Sequence, residues 1–265
     1  MDYETILVEK KENVATLTFN RPERLNAMNE QLMDEVLDAV NKLAKDDTVR
    51  VLIITGSGRG FSAGLDLEWT RSMLEQRKQG KSVYDIPSWI TKVHLALTDM
   101  PYPVIAAING VAVGGGMTMT LSCDIRIAAE DARISFPFVS GVGITPEFNS
   151  TYMLTRLVGM GKACELIFTG KTITGKEAKE IGLVNDAIPL AELKTVTSEL
   201  AETIARGAPM AIRLAKKGLY QGLDGDRYKQ IYWEETTVRA TLQSEDHAEA
   251  VEAFVAKRKP AFKGR

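Results

Sequence analysis

Hydrophobic residues along the first half of the chain form short β-branched runs that alternate with amphipathic stretches. The runs at residues 51–55 and 104–108 are almost entirely apolar, and glycine-rich sequence follows each of them. Short apolar runs bounded by glycine predict buried strands. Between them, residues 32–43 carry apolar side chains at helical spacing and Asn29 is a favourable N-cap residue, so a helix is predicted there.

Further elements extend this alternation, which predicts an α/β fold with parallel strands joined by right-handed crossovers. Thr174 and Glu177 have the spacing of a capping box, and Gly182 predicts the end of the short helix that they begin. The other expected elements are a hairpin at 4–10 and 13–19, helices near 88–99 and from Gly114, strands near 125–127 and at 183–185, and helices at 190–206, 208–221, 225–242 and 244–257.

The composition is that of a globular chain without a strongly charged surface. The 265 residues are 45% hydrophobic and 26% charged, enough apolar material for a sizeable core, and the net charge is -2. No nucleic-acid or membrane partner is therefore expected. Two cysteines, and an N-terminus without a basic and apolar leader, predict a reducing, cytoplasmic location. Residues 101–123 are uncharged, but their prolines and glycines predict a strand, a loop and a buried helix rather than a membrane span.

The glycine-rich sequences after the two strands, at residues 56–66 and 109–116, are the first candidates for chemistry. Glycine lets the backbone turn sharply and approach a ligand closely. Two such turns can direct two free backbone N–H groups to one point, which is the geometry that stabilises a developing oxyanion.

Three other chemistries fit the sequence less well. A dinucleotide-binding G-x-G-x-x-G motif starting at Gly56 fails because Phe61 occupies the third glycine position. Ser62 lies in a G-x-S-x-G sequence like that of a hydrolase nucleophile, but residues 56–60 separate it from the strand, and His247 lies in a charged helix. Neither histidine has a second histidine or a cysteine at ligand spacing, so no metal site is expected.

Several motifs, in order along nearly the whole chain, resemble those of the crotonase (enoyl-CoA hydratase/isomerase) superfamily. They lie at residues 20–27, 61–67, 103–110, 114–116, 123–124 and 254–262. The resemblance implies a crotonase-type ββα spiral over residues 1–195, which carries the CoA and oxyanion site. It also implies that residues 196–265 form a helical region that builds a homotrimer, or a hexamer from two trimers.

The resemblance further implies the residues of the binding site. The thioester carbonyl of an acyl-CoA substrate is expected between the backbone N–H groups of Leu65 and Gly115, and no cofactor is expected besides the CoA that the substrate carries. Residues 69–90 are expected to shape the acyl pocket, with Met73, Tyr84 and Trp89 among them. The residues expected to contact CoA are Arg24, Leu25, Ala27, Ala63 and Asp66, together with Lys257 and Lys259, which can come from a neighbouring subunit.

The resemblance does not choose the reaction, because this scaffold hosts several. Thr118 and Phe138 occupy the positions of the two glutamates that typical hydratases of the family use, and neither can act as a general base. Glu147, which follows Pro146, resembles instead the single glutamate of the peroxisomal type of Δ3-Δ2-enoyl-CoA isomerases. Glu147 is therefore expected to be the base of an isomerase, although a glutamate in the first turn of a helix would also be favoured there by the helix dipole.

Two other functions stay open at this point. One is a hydratase or another acyl-CoA lyase that uses Glu147 with a second, unidentified group. The other is a catalytically silent relative that binds CoA or RNA.

Overall fold

The structure, a computed structural model, describes residues 2–82 and 88–265. The strands, in chain order, are β1 (Ile6–Lys11), β2 (Val14–Phe19), β3 (Val51–Gly56), β4 (Gly60–Ser62), β5 (Val104–Ile108), β6 (Val111–Val113), β7 (Ile125–Ala129), β8 (Arg133–Ser135), β9 (Ile173–Thr174) and β10 (Asp186–Ile188). The helices are α1 (Glu30–Leu43), α2 (Leu67–Lys78), α3 (Trp89–Thr98), α4 (Gly115–Thr120), α5 (Ser150–Thr169), α6 (Gly175–Glu180), α7 (Leu190–Ala205), α8 (Pro209–Asp224), α9 (Arg227–Leu242) and α10 (Glu245–Val255).

The larger sheet has the strand order β1-β2-β3-β5-β7-β10. β1 and β2 form the predicted antiparallel hairpin, and each later strand pairs in parallel with its neighbour. The smaller sheet has the order β4-β6-β8-β9. Because β4, β6 and β8 each follow a strand of the larger sheet, every turn of the chain adds one strand to both sheets. This arrangement is the predicted α/β spiral.

Both faces of the larger sheet are buried, which explains why its central strands are apolar at nearly every position. In β3, Leu52 and Ile54 belong to the main core together with α1, whereas Val51 and Ile53 face a second core. Helix α7 covers that second core with Leu193, Ala201 and Ala205.

Helix α1 forms where the sequence predicted it. Asn29 is its N-cap, and the side-chain Oδ1 accepts a hydrogen bond from Leu32 N–H at 3.0 Å. The apolar positions of the helix at three- and four-residue spacing are buried against β1 and α3.

The strand predicted at residues 183–185 is misplaced, since β10 begins at Asp186. Leu183 and Val184 are buried, but their N–H groups bond to Ala178 C=O and close the end of α6. Helix α7 runs continuously through residue 195, so the predicted boundary at that position lies inside a helix that packs on the sheet. Among the described residues, none of the helices combines the length and the apolar character needed to cross a membrane.

Candidate active site

Leu65 lies in the loop after β4, beside Met28. Gly64 C=O accepts a hydrogen bond from Met28 N–H at 2.7 Å, and Asp66 N–H donates to Met28 C=O at 2.9 Å. The Gly64–Leu65 peptide bond is trans, so the Leu65 N–H points away from Met28, opposite to the Gly64 carbonyl. No acceptor among the described residues bonds to the Leu65 N–H, which leaves it available to a ligand.

Gly115 is the first residue of α4. Gly114 C=O accepts hydrogen bonds from Met117 N–H at 3.0 Å and Thr118 N–H at 2.9 Å. The Gly115 N–H therefore points out of the first turn of the helix, where N–H groups lack intrahelical partners and the helix dipole favours negative charge. Gly114 adopts φ 53° and ψ -125°, a conformation that side-chain-bearing residues rarely adopt, so a glycine is required to begin the helix at this point.

Gly64 allows these two segments to approach each other. Its φ is 87°, and a Cβ added to it would lie 2.7 Å from Val113 O and 3.5 Å from Gly115 N. β4 and β6 are parallel neighbours, so the chain leaves both strands at the same edge of the smaller sheet. The free N–H groups of Leu65 and Gly115 are thus presented from adjacent segments.

The Glu147 carboxylate lies against Gly115. A Cβ built on Gly115 would lie only 2.6 Å from Glu147 Oε1. This oxygen is buried and has no hydrogen-bond partner within the described chain. Burial raises the pKa of Glu147 from its ordinary value of 4.5 to about 7. A carboxylate that titrates near neutrality is suited to accept and return a proton.

Glu147 is held by a turn, not by a helix. α5 begins only at Ser150, so Glu147 is not the first-turn residue that the helix-dipole interpretation requires. Phe148 and Asn149 adopt left-handed backbone conformations with φ 54° and 52°. Non-glycine residues in this region carry conformational strain, which persists only where the surroundings impose it. Phe148 is almost fully buried, and its packing fixes the turn that directs Glu147.

The two positions at which hydratases of the family carry glutamates contribute no acidic group. Thr118 is fully buried and its hydroxyl donates to Gly114 O and Gly115 O, both at 3.3 Å. Phe138 is buried in the main core. Thr118 therefore stabilises the first turn of α4, and Phe138 adds to the apolar packing.

Aromatic side chains connect the loop that carries Leu65 with the turn that carries Glu147. The ring centroids of Trp69 and Trp89 are 5.7 Å apart, and those of Trp89 and Phe148 are 6.5 Å apart. Trp69 lies in the first turn of α2, directly after the Leu65 loop. Met73, half-buried, lies one turn further along α2, and Tyr84 lies outside the described residues. The cluster forms an apolar wall beside Glu147.

Asn26 holds the loop before α1 against the turn between β3 and β4, a role that the sequence did not reveal. Its side chain is fully buried, and Nδ2 donates to Ser57 O at 3.0 Å and to Gly60 O at 2.8 Å. Oδ1 accepts from Arg21 N–H at 2.9 Å. One amide thus ties the loop after β2 to the turn after β3. In the sequence Asn26 belongs to the motif at residues 20–27, but the motif alone assigns it no role.

Asp66 was predicted to contact CoA, and the structure shows its carboxylate bonded within the chain. It caps α2 through Glu68 N–H and Trp69 N–H, and it pairs with Arg21 at 3.0 Å. Burial alone would raise the pKa of Asp66, but the hydrogen bonds from Trp69, Arg21 and Glu68 outweigh it, and the pKa is lowered. These bonds position the neighbouring residue Leu65. A direct contact of Asp66 with CoA stays a prediction.

The other predicted CoA contacts fall into two groups. Arg24, Leu25, Ala27 and Ala63 lie together, since Ala63 N–H donates to Leu25 O at 2.9 Å and Ala27 N–H donates to Arg24 O at 3.1 Å. The exposed Arg24 guanidinium also pairs with Glu68 at 3.1 Å.

Lys257 and Lys259 are exposed and lie elsewhere in the chain. The residues that follow them, 260–263, line a cavity with Asn13, Val14 and Arg50. This cavity is at the opposite end of β2 from the loop that carries Arg24. Within one chain the structure therefore does not bring the two lysines to the other predicted contacts.

The alternative chemistries find no support in the site. Ser62 is fully buried and its hydroxyl donates to Asn26 O at 2.8 Å, whereas His247 is exposed on α10. Within the described ranges there is no group of three or more histidine, cysteine or acidic residues that could hold a metal ion.

Comparisons with known proteins agree with the fold and the motifs. The sequence matches the family described as enoyl-CoA hydratase/isomerase over residues 9–265. It is 39% identical to a short-chain-enoyl-CoA hydratase from Clostridium acetobutylicum, with 100% of both chains covered. It is 38% identical to a crotonyl-CoA hydratase from Syntrophomonas wolfei, with 99% of both covered. The crystal structure of an enoyl-CoA hydratase from Bacillus anthracis superimposes with a TM-score of 0.90 at 33% identity, over 99% of this chain and 100% of that one.

Proposed function

The chain belongs to the enoyl-CoA hydratase/isomerase family, and from that premise we propose that it isomerises 3-enoyl-CoA to 2-enoyl-CoA thioesters with Glu147 as the base. The observation that carries this proposal is the single buried, unpartnered carboxylate oxygen of Glu147 lying against Gly115. The two backbone N–H groups of Leu65 and Gly115 would bind the thioester oxygen.

In the proposed reaction Glu147 removes a proton from the α-carbon, and the electrons of that C–H bond move into the thioester to form a dienolate. Negative charge accumulates on the thioester oxygen, where two backbone donors stabilise it. Glu147, now protonated, returns the proton to the γ-carbon, and the double bond shifts into conjugation. One carboxylate is sufficient because the same group gives up the proton that it accepted.

Hydration of 2-enoyl-CoA is the second candidate, and the names of the relatives favour it. Two proteins 38% and 39% identical to this chain over essentially their full lengths are named as hydratases. Hydration requires that water be activated and that a proton be delivered to the α-carbon. Thr118 and Phe138 replace the acidic residues that usually share this work, so Glu147 would have to act with another group.

Product analysis distinguishes the two reactions. The enzyme is incubated separately with a 3-enoyl-CoA and with crotonyl-CoA, and the products are separated by chromatography. Our proposal expects conversion of the 3-enoyl-CoA to the 2-enoyl isomer at a rate well above hydration of crotonyl-CoA. Formation of 3-hydroxybutyryl-CoA as the faster reaction would support the hydratase, and no turnover of either substrate would support a silent CoA-binding protein.

We also propose that residues 196–265 form an oligomerisation region. Helices α8–α10 leave large apolar side chains exposed, among them Leu219, Ile231, Phe254 and Val255, and so much exposed apolar surface in one region of the chain is typical of an interface. A homotrimer or a hexamer would also offer a way for Lys257 and Lys259 to reach the CoA bound to a neighbouring subunit. We further propose a cytoplasmic location, which the two cysteines of the chain suit.

A further inference from the structure

Asp124 forms a buried polar cluster that lies outside the catalytic groups. Its Oδ2 accepts hydrogen bonds from Val104 N–H at 2.7 Å and from Lys216 Nζ at 2.8 Å, and its Oδ1 accepts one from Tyr220 OH at 2.9 Å. The Lys216 side chain is only 8% exposed. Burying an ammonium is costly unless it is paired and hydrogen-bonded, so this arrangement calls for an explanation.

The cluster lies at the carboxyl end of α4, the helix whose amino end presents Gly115. Asp124 comes four residues after the last residue of α4, and its N–H donates to Val104 O at 2.9 Å. Backbone and side chain of Asp124 thus both bond to Val104 at the start of β5. Nearby, the buried Arg126 guanidinium donates to Cys123 O at 2.8 Å and to Thr120 O at 3.4 Å. The carboxyl end of α4 is therefore fixed to the larger sheet.

Helix α4 is too short to adjust independently of its ends. Six residues span about 9 Å, so a shift or tilt at Thr120 is transmitted to Gly115. All six residues of α4 are buried, and Gly116 leaves no room for a Cβ because one would lie 2.3 Å from Ser62 O. The position of the Gly115 N–H depends on how the far end of the helix is held.

Helix α8 holds that end from the C-terminal region. Lys216 and Tyr220 are four residues apart and lie on one face of α8, and both donate to Asp124. Lys216 Nζ also donates to Tyr102 O at 3.2 Å and to Leu97 O at 3.4 Å, near the end of α3. One lysine therefore joins α8, the end of α3 and the turn after α4.

We propose that Asp124, Lys216 and Tyr220 are positioning residues for the oxyanion site, which hold Gly115 in place by fixing the carboxyl end of α4 to α8. The inference rests on the proposed function, since it assigns a consequence to the Gly115 N–H. It makes the C-terminal helices part of the catalytic apparatus as well as an assembly surface. Disturbing the cluster affects stabilisation of the enolate more than it affects binding of CoA.

The test compares Lys216→Met and Tyr220→Phe with the wild type. Measurements are kcat and KM for the reaction found with wild type, the melting temperature, and the near-ultraviolet enolate band of bound acetoacetyl-CoA, whose 1,3-dicarbonyl group ionises readily. Lys216→Met is expected to lower kcat by roughly tenfold to a hundredfold, since displacements near 1 Å have effects of that size. KM is expected to stay within about twofold, because CoA contacts are unchanged, and the enolate band to weaken.

Two control variants separate positioning from general destabilisation. Val36→Ala removes buried volume from α1, which contributes no residue to the Asp124, Lys216 and Tyr220 cluster, and supplies a variant of lowered melting temperature. Lys179→Met removes an exposed lysine that pairs with Asp186 at 2.6 Å. Both are expected to keep the wild-type kcat and enolate band.

Equal kcat and enolate band in Lys216→Met and in Val36→Ala would overturn the inference. If Lys216→Met does not fold, Tyr220→Phe takes its place as the test variant. Its kcat is expected to fall roughly threefold, and the enolate band of bound acetoacetyl-CoA is expected to weaken. A wild-type kcat and a wild-type enolate band in Tyr220→Phe would overturn the inference. Failure of the proposed function has a different signature, because then the wild type itself lacks isomerase turnover or hydrates crotonyl-CoA faster, or Glu147→Gln retains isomerase turnover.

Discussion

Gly115→Ala is predicted to impair catalysis while leaving the fold intact. A Cβ on Gly115 would lie 2.6 Å from Glu147 Oε1, closer than real Cβ atoms approach an oxygen, and 3.5 Å from the Met28 sulfur, which is an ordinary contact. The clashing oxygen is the end of a flexible side chain, so the carboxylate moves and the backbone does not. Alanine is also a better helix former than glycine.

The size of the effect follows from that distance. To restore van der Waals contact the carboxylate must retreat by roughly 1 Å. A misplacement of about 1 Å can lower the rate by about a hundredfold, which corresponds to about 2.7 kcal/mol of activation free energy. The free energy of unfolding is expected to change by less than about 1 kcal/mol.

The assay measures kcat and KM for 3-enoyl-CoA isomerisation, with urea unfolding of the same preparations. Gly161→Ala is the matched control, since Gly161 lies within α5 and nothing lies within 4 Å of a Cβ added there. That variant is expected to turn over like the wild type. Wild-type kcat in Gly115→Ala would refute this reasoning. It would mean that moving the Glu147 carboxylate away from Gly115 does not slow the reaction.

Three further outcomes are expected. Because Glu147 must be ionised to act as a base and its pKa is raised to about 7, kcat/KM should rise between pH 6 and 8 with an apparent pKa near 7; a profile flat over this range would contradict that role. Since a raised carboxyl pKa means that the native state holds its proton more tightly than the unfolded chain, ionisation of Glu147 destabilises the fold between about pH 4.5 and 7. Glu147→Gln should therefore unfold at higher urea concentration than the wild type at pH 8, with the difference shrinking at pH 5. Asn26→Ala should cost roughly 1–3 kcal/mol of stability in a urea titration, because it removes the donor to the part-buried Ser57 carbonyl and leaves the buried Gly60 carbonyl only the longer bond from Asn109 Nδ2, at 3.3 Å.

The larger sheet could be predicted because its strands carry strong local patterns. β3 and β5 are apolar runs bounded by glycine, and the Asn29 cap and apolar spacing mark α1. The strands of the smaller sheet are two or three residues long, too short to show a period of two. α2 was missed because it buries none of its residues fully and so lacks an apolar face.

The site residues also fall into those that the sequence predicts and those that only the fold reveals. Leu65, Gly115 and Glu147 were named from motifs that are continuous in sequence. Asn26 could not be assigned a role, because its partners Ser57 and Gly60 are more than thirty residues away and only the fold brings them near. The left-handed Phe148 was equally hidden, since nothing in a phenylalanine predicts a positive φ; it is imposed by burial of the ring.

The most direct test of the proposed mechanism follows a proton from one carbon to another. A 3-enoyl-CoA carrying deuterium at the α-carbon is converted in ordinary water by the wild type and by Glu147→Gln, and the 2-enoyl product is examined by mass spectrometry and NMR. With a single buried base, the wild type is expected to place part of the deuterium at the γ-carbon, and a correctly folded Glu147→Gln is expected to lose turnover. Undiminished isomerisation by Glu147→Gln would contradict the assignment of Glu147 as the base.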